Sequence, residues 1–271
     1  MKELSFRKRE LYLQSDIQQH HYNITTRGYS VFEGFLSAEE CATLKVGMEA
    51  ALAAYKPHDD IERSVLDKYQ IHDLFVSELN YARLLEDNRI DQLIAPFLGP
   101  SWIMYAATSS SIPPHGRNYA SRLHVDCPRF QPGYIFNMGI IWALDEYTIE
   151  NGALKILSGS QHSDVTPSLE YFEKNSTQLI CPAGSLIVFN AKTFHKTCDN
   201  TTDQWSHSMT LNACRSFMKQ RMDWVRFTPE HVVNQLNPLA KRLLGYDARL
   251  PTSLDEFFLP EDQRLYKANQ G

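Results

Sequence analysis

The chain has 271 residues, 43% hydrophobic and 22% charged, with a formal net charge of -5, which suits one globular domain with a core and argues against nucleic acid or an anionic membrane as partner. Its five cysteines (Cys41, Cys127, Cys181, Cys198 and Cys214) contain no C-x-x-C pair and read as free thiols of a reducing compartment. The charged start MKELSFRKRE lacks the apolar stretch of a signal peptide and no run of about 18 apolar residues occurs, so no membrane span and a cytoplasmic location are expected.

Residues 1–27 are polar, and Arg7, Lys8 and Arg9 read as a solvated face. GYSVFEGFL (28–36) alternates and carries β-branched and aromatic residues, a short strand. Ser37-Ala-Glu-Glu40 matches a capping box and opens a helix running to about Tyr55, closed by Pro57. Residues 62–98 read as helical again, ending at Pro96 and Leu98-Gly99-Pro100, so residues 1–100 are expected to be mostly helical. Beyond Gly99 the texture changes. WIMYAATSSSI, SRLHVD, YIFNMGIIWAL, GALKIL, GSLIVFNA and SHSMTLNAC are short strand-like runs separated by Pro-Pro, Pro-Gly, Asn-Gly, Ser-Gly-Ser and Pro-Ala-Gly turns. They predict a β-sandwich or jelly-roll core over 101–222, followed by short helices over 223–271.

H-x-D, a spacing that can supply two metal ligands, occurs three times: His58/Asp60, His124/Asp126 and His162/Asp164. The first lies in KPHDDIE, between helices, and the third in SGSQHSDVTP; both read as solvated loops. The second lies in SRLHVD, where Arg122, His124 and Asp126 share one parity on a strand-like run and so point to one face. A further ligand must come from a later strand, and GSLIVFNAKTFHK supplies His195 just beyond an apolar strand over 185–189. Two imidazoles and one carboxylate can hold one face of Fe(II) and leave the other open for O2 and an organic ligand. A buried, hydrogen-bonded histidine is the bland alternative for each position taken alone.

His124-x-Asp126, Glu150-Asn-Gly-Ala-Leu154, Leu157-Ser-Gly-Ser-Gln-His162, Pro182-Ala-Gly-Ser185 and His195 follow one another in an order that resembles the phytanoyl-CoA dioxygenase family. GYSVFEGFLSAEE is similar to the start of that family, and the resemblance covers roughly residues 27–226. It implies an Fe(II)- and 2-oxoglutarate-dependent oxygenase on a double-stranded β-helix, a mainly β, jelly-roll or cupin-like core with flanking helices, in a single domain over 1–271. It also implies His124, Asp126 and His195 as iron ligands, and Trp142 as an aromatic beside the cosubstrate. Thr197 would be a hydroxyl bonding the cosubstrate carboxylate, and His162 part of a structural G-S-x-H turn. The implied partners are O2 and a small-molecule substrate.

One position departs from the pattern. The family usually carries an arginine 11 or 12 residues after the distal histidine, where it pairs with the far carboxylate of 2-oxoglutarate; here those positions are Ser206 and His207. Loss of such a pair costs about 1.5–3 kcal/mol of cosubstrate binding. Three accounts stay open: another cation takes the role, the iron works without 2-oxoglutarate, or the chain binds iron without turnover as a sensor or binding module. Arg122, on the ligand face, is the first candidate cation, with Lys155 and Arg215 behind it. Arg215 lies nine residues past Ser206, about 30 Å along a straight strand. Arg117, Arg122 and Arg129 flank the ligand pair and can receive an anionic substrate. A different metal enzyme on a related barrel is the remaining rival.

Overall fold

In the computed structural model, which describes residues 2–7, 9–56 and 69–267, helices come first along the chain. Helix α1 (Gln14–Arg27) falls in the polar stretch that opens the mostly helical first hundred residues; Gly28 ends it in the left-handed conformation (φ 90°), where its N–H reaches Ile24 O. Strand β1 (Tyr29–Phe32) follows. Helix α2 (Ala38–Ala54) opens on the expected capping box, with Ser37 and Glu40 exchanging side-chain and backbone bonds. Pro57, His58 and Asp60 lie outside the described residues.

The long helix expected before Gly99 is broken into α3 (Leu74–Ser77), α4 (Leu79–Leu84) and α5 (Asn88–Leu98). Acidic side chains cause the breaks. Glu78 accepts from Asn80 N, and Asp87 from Arg89 N, so each starts a new helix where the periodicity alone would continue one. Pro96 sits inside α5, and Gly99 is its cap.

The remaining strands are β2 (Ile103–Ser109), β3 (Asn137–Ala143), β4 (Leu154–Ile156), β5 (Thr177–Gln178), β6 (Leu186–Asn190), β7 (His195–Thr197) and β8 (Ser208–Cys214). They form two antiparallel sheets, ordered β1-β6-β3-β8-β2 and β5-β4-β7. SRLHVD is not a strand. A 3-10 turn, Tyr119–Ser121, takes in its first residue, and a single bridge between His124 and His195 is its contact with the small sheet. A histidine side chain, not a neighbouring strand, occupies the Arg122 carbonyl, which helps keep the segment from pairing further.

β3 is buried along its whole length and divides two cores. Met138, Ile140 and Trp142 face the helices, packing with Leu44, Met48, Phe75 and Leu93. Ile141 and Ala143 face the other way, into a core closed by Leu154 and Ile156 of the small sheet and by Ile187 and Phe189 of β6. The two sheets thus face each other, and helices cover the outer side of the larger one. Helix α6 (Leu169–Asn175) lies between β4 and β5, and after β8 come α7 (Trp224–Phe227), α8 (Glu230–Val233), α9 (Pro238–Leu244) and α10 (Leu254–Phe257), the short helices expected of the tail. Helix lengths stay short; among the described residues no helix is long and apolar enough to cross a membrane.

Candidate metal centre

His195 opens β7, and His124 pairs with it backbone to backbone, each N–H donating to the other's carbonyl at 3.0 Å. This closed pair sets the two imidazoles side by side, ring centroids 4.3 Å apart. Both rings are anchored in the same way. His124 Nδ1 donates to Arg122 O at 2.6 Å, and His195 Nδ1 to Thr193 O at 2.9 Å. A carbonyl can only accept, so the proton of each neutral ring sits on Nδ1 and the lone pair on Nε2. Both Nε2 atoms face Asp126 Oδ1, at 3.6 and 3.7 Å.

Asp126 is itself held. Asn212 Nδ2 on β8 donates to its Oδ2 at 3.3 Å, and Asn137 Nδ2 on β3 donates to Asn212 Oδ1 at 2.8 Å. Both asparagines are buried, and the second bond fixes which end of the Asn212 amide faces the carboxylate. A further constraint comes from Gly139. A Cβ there would lie 2.0 Å from Phe189 Cζ, so glycine lets the Phe189 ring lie across β3 and meet His195 edge-on at 4.8 Å.

Burial, followed by the neighbouring His124, pushes His195 down to about 4, so its lone pair is available at neutral pH. Burial opposes ionisation of Asp126 too, yet His195, His124 and Asn212 outweigh it and hold the carboxyl below its ordinary range. For His124 burial works against the charged form, but Asp126 and the Arg122 carbonyl raise it overall. The donor set therefore fits a divalent ion. Its three ligand atoms lie within 4.8 Å of one another, the one such cluster among the described residues. Atoms bound to one ion at about 2.1 Å stand roughly 3–3.6 Å apart, so the set needs only a small contraction.

The triad opens on a cavity of about 370 Å³. Leu154, Phe189, Tyr147 and Thr197 form its buried end, and Arg122 and Arg221 its exposed edge. Thr197 donates to Asn118 Oδ1 at 3.1 Å, and Arg122 lies over the Tyr119 ring at 3.9 Å. Trp142 does not line this cavity. It is fully buried against Phe75 on the helix side of β3, and Ile141 takes the inward place, because adjacent strand residues point to opposite faces. Ser206 is buried at a bridge to Ile112 and is likewise absent from the cavity wall. Lys155 is tied to Glu173, and Arg215 donates to Ile135 O, Leu98 O and Phe97 O, so neither cation faces the triad. Arg129 lines a separate pocket beside Lys192, and Arg117 lines neither. In the third H-x-D, Asp164 pairs with Lys192, and His162 closes a 3-10 turn.

Arg221, Asn137, Asn212, Asn118 and Tyr147 were not singled out by motif. For Asn212 a signal existed: Thr210 and Asn212 are polar at alternate positions of an otherwise buried strand. Arg221 follows the last strand in RSFMKQRMDW, where nothing in the spacing marks it.

The Phytanoyl-CoA dioxygenase (PhyH) family model matches residues 24–208, more than half of the chain. The chain belongs to the phytanoyl-CoA dioxygenase family. A family relative, the uncharacterized protein Rv1501 of Mycobacterium tuberculosis, is 32% identical over 189 residues; the match covers 70% of this chain and 66% of that protein. Among solved structures, EctD from S. alaskensis with 2-oxoglutarate and 5-hydroxyectoine aligns at TM-score 0.63 and 21% identity, covering 78% of this chain and 83% of that one. The epimerase SnoN, in complex with Fe3+, alpha ketoglutarate and nogalamycin RO, aligns at TM-score 0.60 and 18% identity, covering 74% and 84%. These likenesses establish the cupin-like double-stranded β-helix.

Proposed function

We propose that the chain is an Fe(II)-dependent oxygenase that oxidises a small organic molecule, most simply by hydroxylation, with 2-oxoglutarate as cosubstrate. The observation that carries this reading is the triad itself. Three donor atoms converge, and both imidazoles spend Nδ1 on a carbonyl and turn Nε2 toward one carboxylate oxygen. Iron held by His124, Asp126 and His195 would supply the oxidative chemistry with O2. The protein's own work is positioning and shielding. Asn212 and Asn137 keep Asp126 to one oxygen, Phe189 buttresses His195, and Ile141, Leu154 and Phe189 exclude water from the buried end.

Thr197, held by Asn118, and Tyr147 offer hydroxyl groups at that end, and Arg122 is the cation we assign to the cosubstrate's far carboxylate. A specific observation favours a second reading, an iron oxygenase that does not use 2-oxoglutarate: among the described residues no cation lines the buried end, and Ser206 stands where the family's arginine would. Anaerobic Fe(II) titration with and without 2-oxoglutarate separates the two. A visible charge-transfer band, with succinate formed on admitting O2, is the expected result; iron binding with neither supports the second reading or a non-catalytic binding module. Asp126→Ala should abolish turnover, and full retained activity would sink the assignment.

A further inference from the structure

We propose that Arg221 is the anchor for an anionic group, a carboxylate or a phosphate, on the molecule that this centre oxidises. The inference deepens the oxygenase reading and rests on it. Arg221 lines the cavity that holds the triad and also an adjoining cleft of about 130 Å³. The two spaces share His72, Thr108, Asp126, Thr210 and Arg221, so the guanidinium stands at the junction that leads to the carboxylate ligand. Around Arg221 the junction carries the Asp126 carboxylate on the metal side, with His72 and the hydroxyls of Thr108 and Thr210 completing it.

Although exposed, Arg221 is presented from a fixed backbone. Its N–H donates to Tyr105 O on β2 at 3.0 Å. Just before it, the Gln220 amide donates to Met104 O and Leu244 O; just after it, the fully buried Trp224 donates its indole N–H to Tyr105 O. The side chain has no ion-pair partner among the described residues, whereas its neighbours in the tail are engaged, Arg226 with Asp223 and Arg242 with Asp91. An arginine held this way, with its planar fork unspent, suits two-point recognition of a carboxylate or phosphate. Its place also separates it from Arg122. That residue enters from the segment bridged to the small sheet, while Arg221 enters from the loop pinned to β2 of the large sheet. The cosubstrate and the substrate would thus each meet their own cation.

The test uses the full-length chain and inorganic phosphate as probe. Phosphate binding to the metal-free protein is followed by 31P line broadening in the wild type, Arg221→Gln and Arg122→Gln. The 2-oxoglutarate band is then recorded for each protein after anaerobic Fe(II) loading. Arg221→Gln should weaken phosphate binding about tenfold or more, with far-UV circular dichroism, Fe(II) affinity and the band unchanged. Arg122→Gln should leave phosphate binding little altered. Unchanged phosphate affinity in Arg221→Gln overturns the proposal, and so does loss of the 2-oxoglutarate band in that variant, which would make Arg221 the cosubstrate's cation. If the wild type itself shows no band, the cosubstrate reading falls, while the phosphate comparison still decides Arg221.

Discussion

Asp126 faces the two imidazoles through one oxygen because its other oxygen is taken. Asn212 holds Oδ2, and Asn137 holds Asn212, a relay that crosses from β8 to β3 within the large sheet. Groups that orient a metal ligand in this way typically contribute 10–100-fold to affinity. Asn212→Leu should therefore weaken Fe(II) or Co(II) binding by about 10–100-fold in a direct titration of folded protein. An unchanged affinity would show the relay to be packing only. At this scale the sequence was legible for the donors, since the H-x-D spacing and the distal histidine need only local reading. It was not legible for their supports. An asparagine acquires its meaning from the atom facing it across a sheet, and the residues of this relay are 75 and 86 positions apart.

At the scale of elements, β3 shows how much depends on parity and register. Gly139 pairs with Phe189, and its missing side chain is what lets that ring cross the strand toward His195. Gly139→Ala should cost about 1–3 kcal/mol in urea unfolding, as other overpacked cores do, and should also weaken metal binding by displacing the ring. Ser37→Ala provides the contrast. It removes one half of the α2 capping box and should cost about 1 kcal/mol in the same unfolding experiment with metal affinity unaffected. The capping box was readable because its partners are three residues apart. SRLHVD was misread because a run of suitable residues forms a strand only if a neighbour offers a ladder; here a single bridge to His195 is what the small sheet supplies. The same shift from pattern to packing moved Trp142 from the cosubstrate side to the helix side of β3.

For the whole molecule, histidine burial couples the fold to pH. His20, stacked on Phe32 at 3.6 Å, and His21 are both held below the ordinary imidazole value by burial, as are His195 and His207. When the folded value lies below the unfolded one, about 6.5, the unfolded chain takes up more protons on acidification. That stability is present above about pH 6.5 and is lost as pH falls toward the folded values, about 4 for His195. His124, raised overall, has the opposite sign, and its contribution is lost as pH rises through its folded value. The metal-free protein should therefore melt at a lower temperature at pH 5 than at pH 7. His20→Gln should reduce that drop; an identical drop would rule His20 out as a contributor.

The sequence by itself determined the three side chains of the candidate metal centre, the order of the motifs that mark the family, the capping box of α2 and most of the strands of the core. Each rests on residues close together in the chain or on a regular alternation along it. Only the tertiary structure decided which face of β3 meets the site, what occupies the space around Ser206, how Asp126 is held to one oxygen, and that Arg221 reaches the same cavity as Arg122. These are relations between segments far apart in sequence. Their side chains meet through strand register and loop anchoring, which no local pattern encodes.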